Sequence, residues 1–216
     1  MSSVRGSCDS APSHRLANLK DALLLSGGMD SIALGYWMRP AFAVTIDYGQ
    51  RPAAAEVRAA SGVADALQIE HIVVRADLSE LGSGDLAKTA AIGVAPVSEW
   101  WPFRNQMLVT LAAMRTVSLG VERLLIGSLK TDQKHADGRR EFVEAISALQ
   151  SLQEGKIAVH APAIDLTAVE LIKQSQVPMD ILAWAHSCHV ANYACGTCRG
   201  CRKHYETLQE LGVDPY

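Results

Sequence analysis

The chain has 216 residues, 49% of them hydrophobic, and a formal net charge of −3 at pH 7. That is enough for one well-cored domain with at most a small appendage. It excludes a transmembrane helix, because no apolar run reaches span length, and a global basic field that would recruit nucleic acid.

Residues 1–20 are polar and Ser-rich with no apolar h-region. They read as a flexible tail and not as a secretory signal, so a cytoplasmic protein is expected. Of five cysteines, Cys8 falls in this tail and Cys188, Cys195, Cys198 and Cys201 cluster near the other end. An odd count without a secretory signal argues against a disulfide framework.

Residues 22–25 read as a first strand and 30–38 as a first helix, stopped by Pro40. Between them lies Ser26-Gly27-Gly28-Met29-Asp30-Ser31. Paired glycines let a backbone approach a ligand and accept positive φ. The free N–H groups of a helix start favour an anion, and two hydroxyls add donors. The loop lacks the Gly-Lys-Ser/Thr ending of a Walker A loop, so any triphosphate is held without that lysine. The Ser-Gly-Gly-x-Asp-Ser motif resembles the PP-loop of ATP pyrophosphatases. Asp30 then caps the helix, holds a nucleotide magnesium, or does both.

Residues 41–47 form a second strand, followed by the turn Tyr48-Gly49-Gln50-Arg51, with Pro52 opening a helix over 53–67. A third strand covers 70–74. Residues 75–101 have no clear period and suit a lid or loop. A helix over 103–119 places Met107, Leu111 and Met114 on one face. It starts with Arg104 and Asn105. A cation there opposes the helix dipole, which hints at a phosphate for Arg104. A fourth strand at 123–127 leads into a polar loop with Asp132, Asp137 and Arg139. Then come a helix over 139–153, a short strand at 157–160, a capping box at Thr167-Ala168-Val169-Glu170, and a closing helix over 202–211.

Strand alternates with helix, so the expected fold is α/β: a Rossmann-like, doubly wound parallel sheet with right-handed crossovers. The loops after the first, second and fourth strands should meet over one crevice. Three segments are expected: the tail 1–20, a PP-loop domain over 21–180, and a zinc-binding segment over 181–216. In the last, Cys188-x6-Cys195-x2-Cys198-x2-Cys201 has the spacing of a tetrahedral thiolate site. Gly196 and Gly200 supply turns between the ligands. His186, His189 and His204 read as bystanders, since four cysteines close the site.

Together these stretches resemble the 7-cyano-7-deazaguanine synthase (QueC) family. The motifs are S-G-G-M-D-S, D-Y-G-Q-R, the R-N helix start, D-G-R-R-E-F, A-P-A-I-D-L-T and the C-terminal cysteines. The resemblance implies MgATP, a structural zinc and a homodimer. It also implies adenylation of the carboxylate of 7-carboxy-7-deazaguanine, amide formation with ammonia, and dehydration to the nitrile. Ser26, Gly27, Gly28, Met29, Asp30 and Ser31 match the nucleotide grip. Asp30, Arg104 and Asp132 are the expected catalytic groups; Tyr48, Gln50, Arg51, Asp137 and Arg139 are expected on the substrate side. The sequence departs from the family at Pro52 (for His), Phe103 (for Gly), Ala168 (for Lys) and 135–139 (for Tyr-Pro-Asp-Cys-Arg). All four departures are expected in or near the acceptor pocket. This resembles QueC-like proteins of bacterial antiviral systems and implies transfer to a protein amine as a second outcome. Neither membrane nor stable nucleic-acid partners are expected. Two readings from other classes stay open. A tRNA-modifying PP-loop enzyme would show a salt-sensitive tRNA complex. A non-catalytic nucleotide-binding zinc module would release no pyrophosphate.

Overall fold

The computed structural model describes residues 20–94 and 100–214. The expected tail, apart from Lys20, and Cys8 lie outside the described residues, as does 95–99 of the long irregular stretch.

Strand β1 (Asp21–Leu24) turns into α1 (Met29–Met38), and β2 (Phe42–Asp47) into α2 (Ala53–Leu67). Strand β3 (Glu70–Arg75) is followed by a long connection holding one short 3-10 turn at Ser79–Leu81. Then come α3 (Arg104–Thr116), β4 (Arg123–Leu125), α4 (Arg140–Ser151), β5 (Ala158–His160), α5 (Ala168–Ser175), the single turn α6 (Met179–Leu182) and α7 (Arg199–Glu210). The strands form one parallel sheet in the order β3-β2-β1-β4-β5. The order reverses at β1, and a crevice opens beyond the strand ends there.

Alternation along each strand feeds two cores. Leu23, Leu25 and Leu125 face a core built with Ile32, Leu34, Val63, Leu171 and Leu208. Ala22, Val44 and Leu124 face the other, with Val109, Ala112, Val143 and Ile146. Leu208 of α7 is thus part of the main core, so the C-terminal segment packs on the sheet domain.

Local signals explain the element ends. Arg39 precedes Pro40, which disfavours the right-handed helical region there, and it closes α1 at φ 46° with its N–H on the Gly35 carbonyl. Thr167 and Glu170 form the expected capping box of α5. The face of α3 differs from expectation. Val109, Ala112, Ala113 and Thr116 are buried, while Met114 is 69% exposed. Small residues let α3 lie close to the strands, and the larger methionine is turned outward.

Candidate nucleotide and metal sites

Between β1 and α1 the backbone is forced by contact. Gly27 has φ +79°, and a Cβ there would lie 2.7 Å from the Glu56 carbonyl oxygen and 3.0 Å from the Ala59 Cβ. Only glycine fits. Gly28 is the extended N-cap of α1. The Ser31 hydroxyl donates to the Gly28 carbonyl (2.9 Å), and the Ser26 and Ser31 Oγ atoms are 3.2 Å apart. The loop therefore presents two hydroxyls and a helix start to a crevice of about 410 Å³, lined by Ser26, Gly28, Met29, Asp30 and Ser31. An anion of pyrophosphate charge suits such a start.

Asp30 stands in the first turn of α1. Its Oδ2 accepts from Lys203 Nζ at 2.8 Å. Its Oδ1 is buried and accepts no hydrogen bond from the described residues. Burial pushes the Asp30 carboxyl above its usual range, and Lys203 opposes that shift. A buried carboxylate oxygen without a donor, beside a loop whose helix start suits an anion, fits a hard cation.

The opposite wall is polar over an aromatic floor. Trp101 meets Tyr48 edge-on, ring centroids 4.9 Å apart. Burial pushes the Tyr48 hydroxyl up to about 12, against the pull of Arg104, with which it shares a hydrogen bond. Tyr48 is thus a fixed hydroxyl rather than a base. Arg104 also donates to Asn105 Oδ1 (3.3 Å), and Asn105 Nδ2 donates to the Asp137 carbonyl (3.5 Å). Glu56 lines this wall too; burial raises its pKa, while the Gln50 amide, 2.7 Å away, lowers it. Asp132 lines the crevice and accepts the Leu129 N–H at 2.9 Å, which starts the 3-10 turn Lys130–Lys134.

Cys188, Cys195, Cys198 and Cys201 bring their four sulfurs within 4.8 Å of one another. The Cys195–Cys201 and Cys188–Cys198 sulfurs are 3.9 and 4.0 Å apart. Four thiolates at tetrahedral zinc distance lie about 3.8 Å apart, so the cluster has the size to hold a metal. Backbone N–H groups point at the sulfurs: Cys198 to Cys195 (3.3 Å), Cys201 to Cys198 (3.4 Å) and His189 to Cys198 (3.4 Å). Donors from Thr197 and Cys198 lower the Cys195 pKa to about 6, which favours a thiolate ligand. Gly196 takes φ +75° as a turn glycine. Gly200 instead marks a close approach: a Cβ would sit on the Ser187 carbonyl and 2.7 Å from the His189 ring.

Three of the five expected substrate-side residues lie off the crevice lining. Gln50 is 3% exposed and braces the turn, donating to the Ile46 carbonyl and to Glu56 and accepting from the Tyr48 N–H. Arg51 reaches the Asp85 carbonyl, and Arg139 the Gln133 carbonyl. Tyr48 and Asp137 do line the crevice. His186, His189 and His204, expected as bystanders, line it as well, with Lys203. The His186 N–H donates to the Gly27 carbonyl at 2.8 Å. The Cys188-x6-Cys195 spacing carried no hint of this, since the segment meets the loop only after folding.

Residues 20–212 match the family model described as "Queuosine biosynthesis protein QueC". The chain belongs to the QueC family. It is 32% identical to the 7-cyano-7-deazaguanine synthase of Nitrosomonas europaea, over 84% of this chain and 89% of that one. It is 28% identical to the enzyme of that name from Methanocaldococcus jannaschii, over 91% and 97%. Among solved structures it is similar in fold to the U34-tRNA thiolase NcsA from Methanococcus maripaludis with its 4Fe-4S cluster. The TM-score is 0.50 at 15% identity, over 90% of this chain and 65% of the thiolase.

The departures from the family pattern do not all line the crevice. Pro52 is the N-cap of α2, Ala168 is buried at the start of α5, and Phe103 is 72% exposed; none lines the crevice. Only the loop with His135, Asp137 and Gly138 does. Phe103 has φ 54° and ψ 19°, the left-handed conformation that suits the family's glycine.

Proposed function

We propose that this protein uses MgATP to adenylate the carboxylate of 7-carboxy-7-deazaguanine and passes the acyl group to ammonia, ending in the nitrile. The observation that carries this reading is the Ser26–Ser31 loop opening with Asp30 onto one crevice, in a chain of the QueC family. A substrate carboxylate oxygen attacks the α-phosphorus, and the bond to pyrophosphate breaks. Ammonia attacks the acyl carbon; AMP leaves and a proton is lost to give the amide. The amide oxygen then attacks the α-phosphorus of a second ATP and pyrophosphate leaves; loss of AMP and of both amide protons leaves the nitrile. The protein's share is charge and position. Ser26, Ser31 and the α1 start hold the leaving pyrophosphate. Asp30 holds magnesium, which screens the phosphate charge when bound. Tyr48, Arg104 and Asp137 face the reacting ends, and Asp132 shapes the wall after β4.

The cysteine cluster is read as a structural zinc site, supported by its four-thiolate donor set. The segmentation at 1–20, 21–180 and 181–216 and a homodimer belong to the same reading. Exposed Met114, Leu149 and Leu152 toward the ends of α3 and α4 support a subunit contact. A second reading, transfer to a protein amine, is favoured only by the altered 135–139 loop at the crevice.

Mass spectrometry of a reaction with MgATP, 7-carboxy-7-deazaguanine and ammonium is the test. Nitrile formation is expected. Amide alone, or substrate-dependent AMP release without nitrile, would favour the second reading. Absence of both AMP and pyrophosphate would overturn the adenylation reading.

A further inference from the structure

The Ser26–Ser31 loop carries no lysine of its own. We propose that Lys203, two residues beyond the metal ligand Cys201 on α7, is its phosphate-binding cation, so that the C-terminal metal segment forms one wall of the ATP site. This rests on the nucleotide reading above and adds a residue to it.

Lys203 lines the same crevice as Ser26, Gly28 and Ser31. Its Nζ reaches across 173 residues of sequence to Asp30 Oδ2 at 2.8 Å. An ammonium has three donors; Asp30 takes one, which leaves two for phosphate oxygens. Of the arginines on the lining, Arg104 is engaged with Tyr48 and Asn105 on the opposite wall, and Arg199 is exposed at the first position of α7. Lys203 is also held in place. Thr207 donates to its carbonyl at 2.7 Å, and Cys201 and Leu208 on either side are buried in the metal cluster and the core. The segment is fastened to the loop it serves: His186 N–H binds the Gly27 carbonyl at 2.8 Å, and Asn192 Oδ1 accepts the Ala55 N–H of α2 at 3.1 Å. A pair that served only the fold would gain little, since desolvation cancels most of its attraction. Placed at the mouth of a phosphate loop, the same pair gives the leaving pyrophosphate a preorganised charge.

The test compares MgATP and AMP affinities of the full chain and its variants by calorimetric titration. K203Q keeps a donor for Asp30 and removes only the charge; K203M removes both, and K203R restores the charge. With K203Q, the Kd for MgATP should rise roughly 10- to 100-fold, the weight of a charge-assisted contact. AMP affinity, metal content and melting temperature should stay near those of the unaltered protein. K203R should recover most of the loss. MgATP affinity of K203Q equal to that of the unaltered chain would overturn the proposal. So would equal losses for ATP and AMP, which mark a role in folding. If the unaltered chain binds no MgATP, the nucleotide reading falls and takes this proposal with it.

Discussion

Replacing Gly27 with alanine tests the loop most directly. Two costs add. An L residue at φ +79° sits in the left-handed region, which costs about 1–2 kcal/mol. Its Cβ would also stand 2.7 Å from the Glu56 carbonyl oxygen and 3.0 Å from the Ala59 Cβ. Neither neighbour is the free end of a side chain; both belong to α2, so relief requires helix or loop to move. Overpacking of this kind costs about 1–3 kcal/mol. Alanine recovers about 0.4–1 kcal/mol through the unfolded chain, which does not offset either. The net loss is about 2–4 kcal/mol, or roughly 5–15 °C of melting temperature for a chain of this length. If the loop gives way instead, Ser31 and Asp30 shift and the loss shows in ATP affinity. Thermal melts and MgATP titration therefore belong together. Gly120→Ala is the control: its φ is +72° but nothing lies within 4 Å of its Cβ position, so only the conformational cost applies. A G27A protein that melts no lower than G120A and binds MgATP unchanged would refute the close-approach reasoning.

Other consequences can be checked on the same preparations. Stripping metal with a chelator, or Cys198→Ser, should abolish bound zinc, lower the melting temperature and weaken MgATP binding together, because α7 carries both Cys201 and Lys203; elemental analysis with melts and titration checks this, and unchanged ATP affinity in metal-free, folded protein would refute it. Gly138→Cys, which restores the family's residue, should lower product formation rather than raise it, since a Cβ there would collide with the Asp132 carbonyl oxygen. Glu56→Gln should stabilise the protein at pH 8 and lose that advantage on acidification. The sign follows from burial raising the folded-state pKa of Glu56: ionising it above that pKa costs stability, whereas below its unfolded value neither state is charged. A Gln variant less stable than the parent at pH 8 would contradict it. Phe103→Gly should stabilise by about 0–1 kcal/mol, because relief of about 1–2 kcal/mol at φ 54° is partly cancelled by glycine's unfolded-state entropy; chemical denaturation reads the difference.

Most of the fold was legible because its signals are local. Each strand ends in a Gly, Pro or polar turn, and the Thr167–Glu170 box marks the start of α5 without reference to the rest of the chain. The buried face of α3 is legible only in part, for a reason of the same kind: Leu111 packs against the core, whereas Met114 does not. Met107, Leu111 and Met114 outrank Ala112 and Ala113 in hydrophobicity, but a helix lying close on a sheet selects small residues, and that depends on a neighbour the sequence does not name.

The site divides along the same line. Ser26–Ser31 is contiguous, so its close backbone turn and helix start could be read from one stretch. Gln50 and Arg51 follow Tyr48 closely in sequence, yet they turn to the Glu56 side chain and the Asp85 carbonyl, because a tight turn cannot aim three long side chains within four residues at one point. Lys203 was hidden by the opposite effect. It comes two residues after the last of the four cysteines in sequence, and the cysteine spacing gives no reason why it should be a lysine. Only the packing of α7 against the crevice, with Asp30 at 2.8 Å, supplies a reason. A closed thiolate site has no coordination position to spare for chemistry, but it can fix the helix that carries a charge into the crevice. The metal's influence on the reaction would then be mechanical. It should appear in ATP affinity and be nearly absent from AMP affinity, and that difference separates it from a metal that merely holds the protein together.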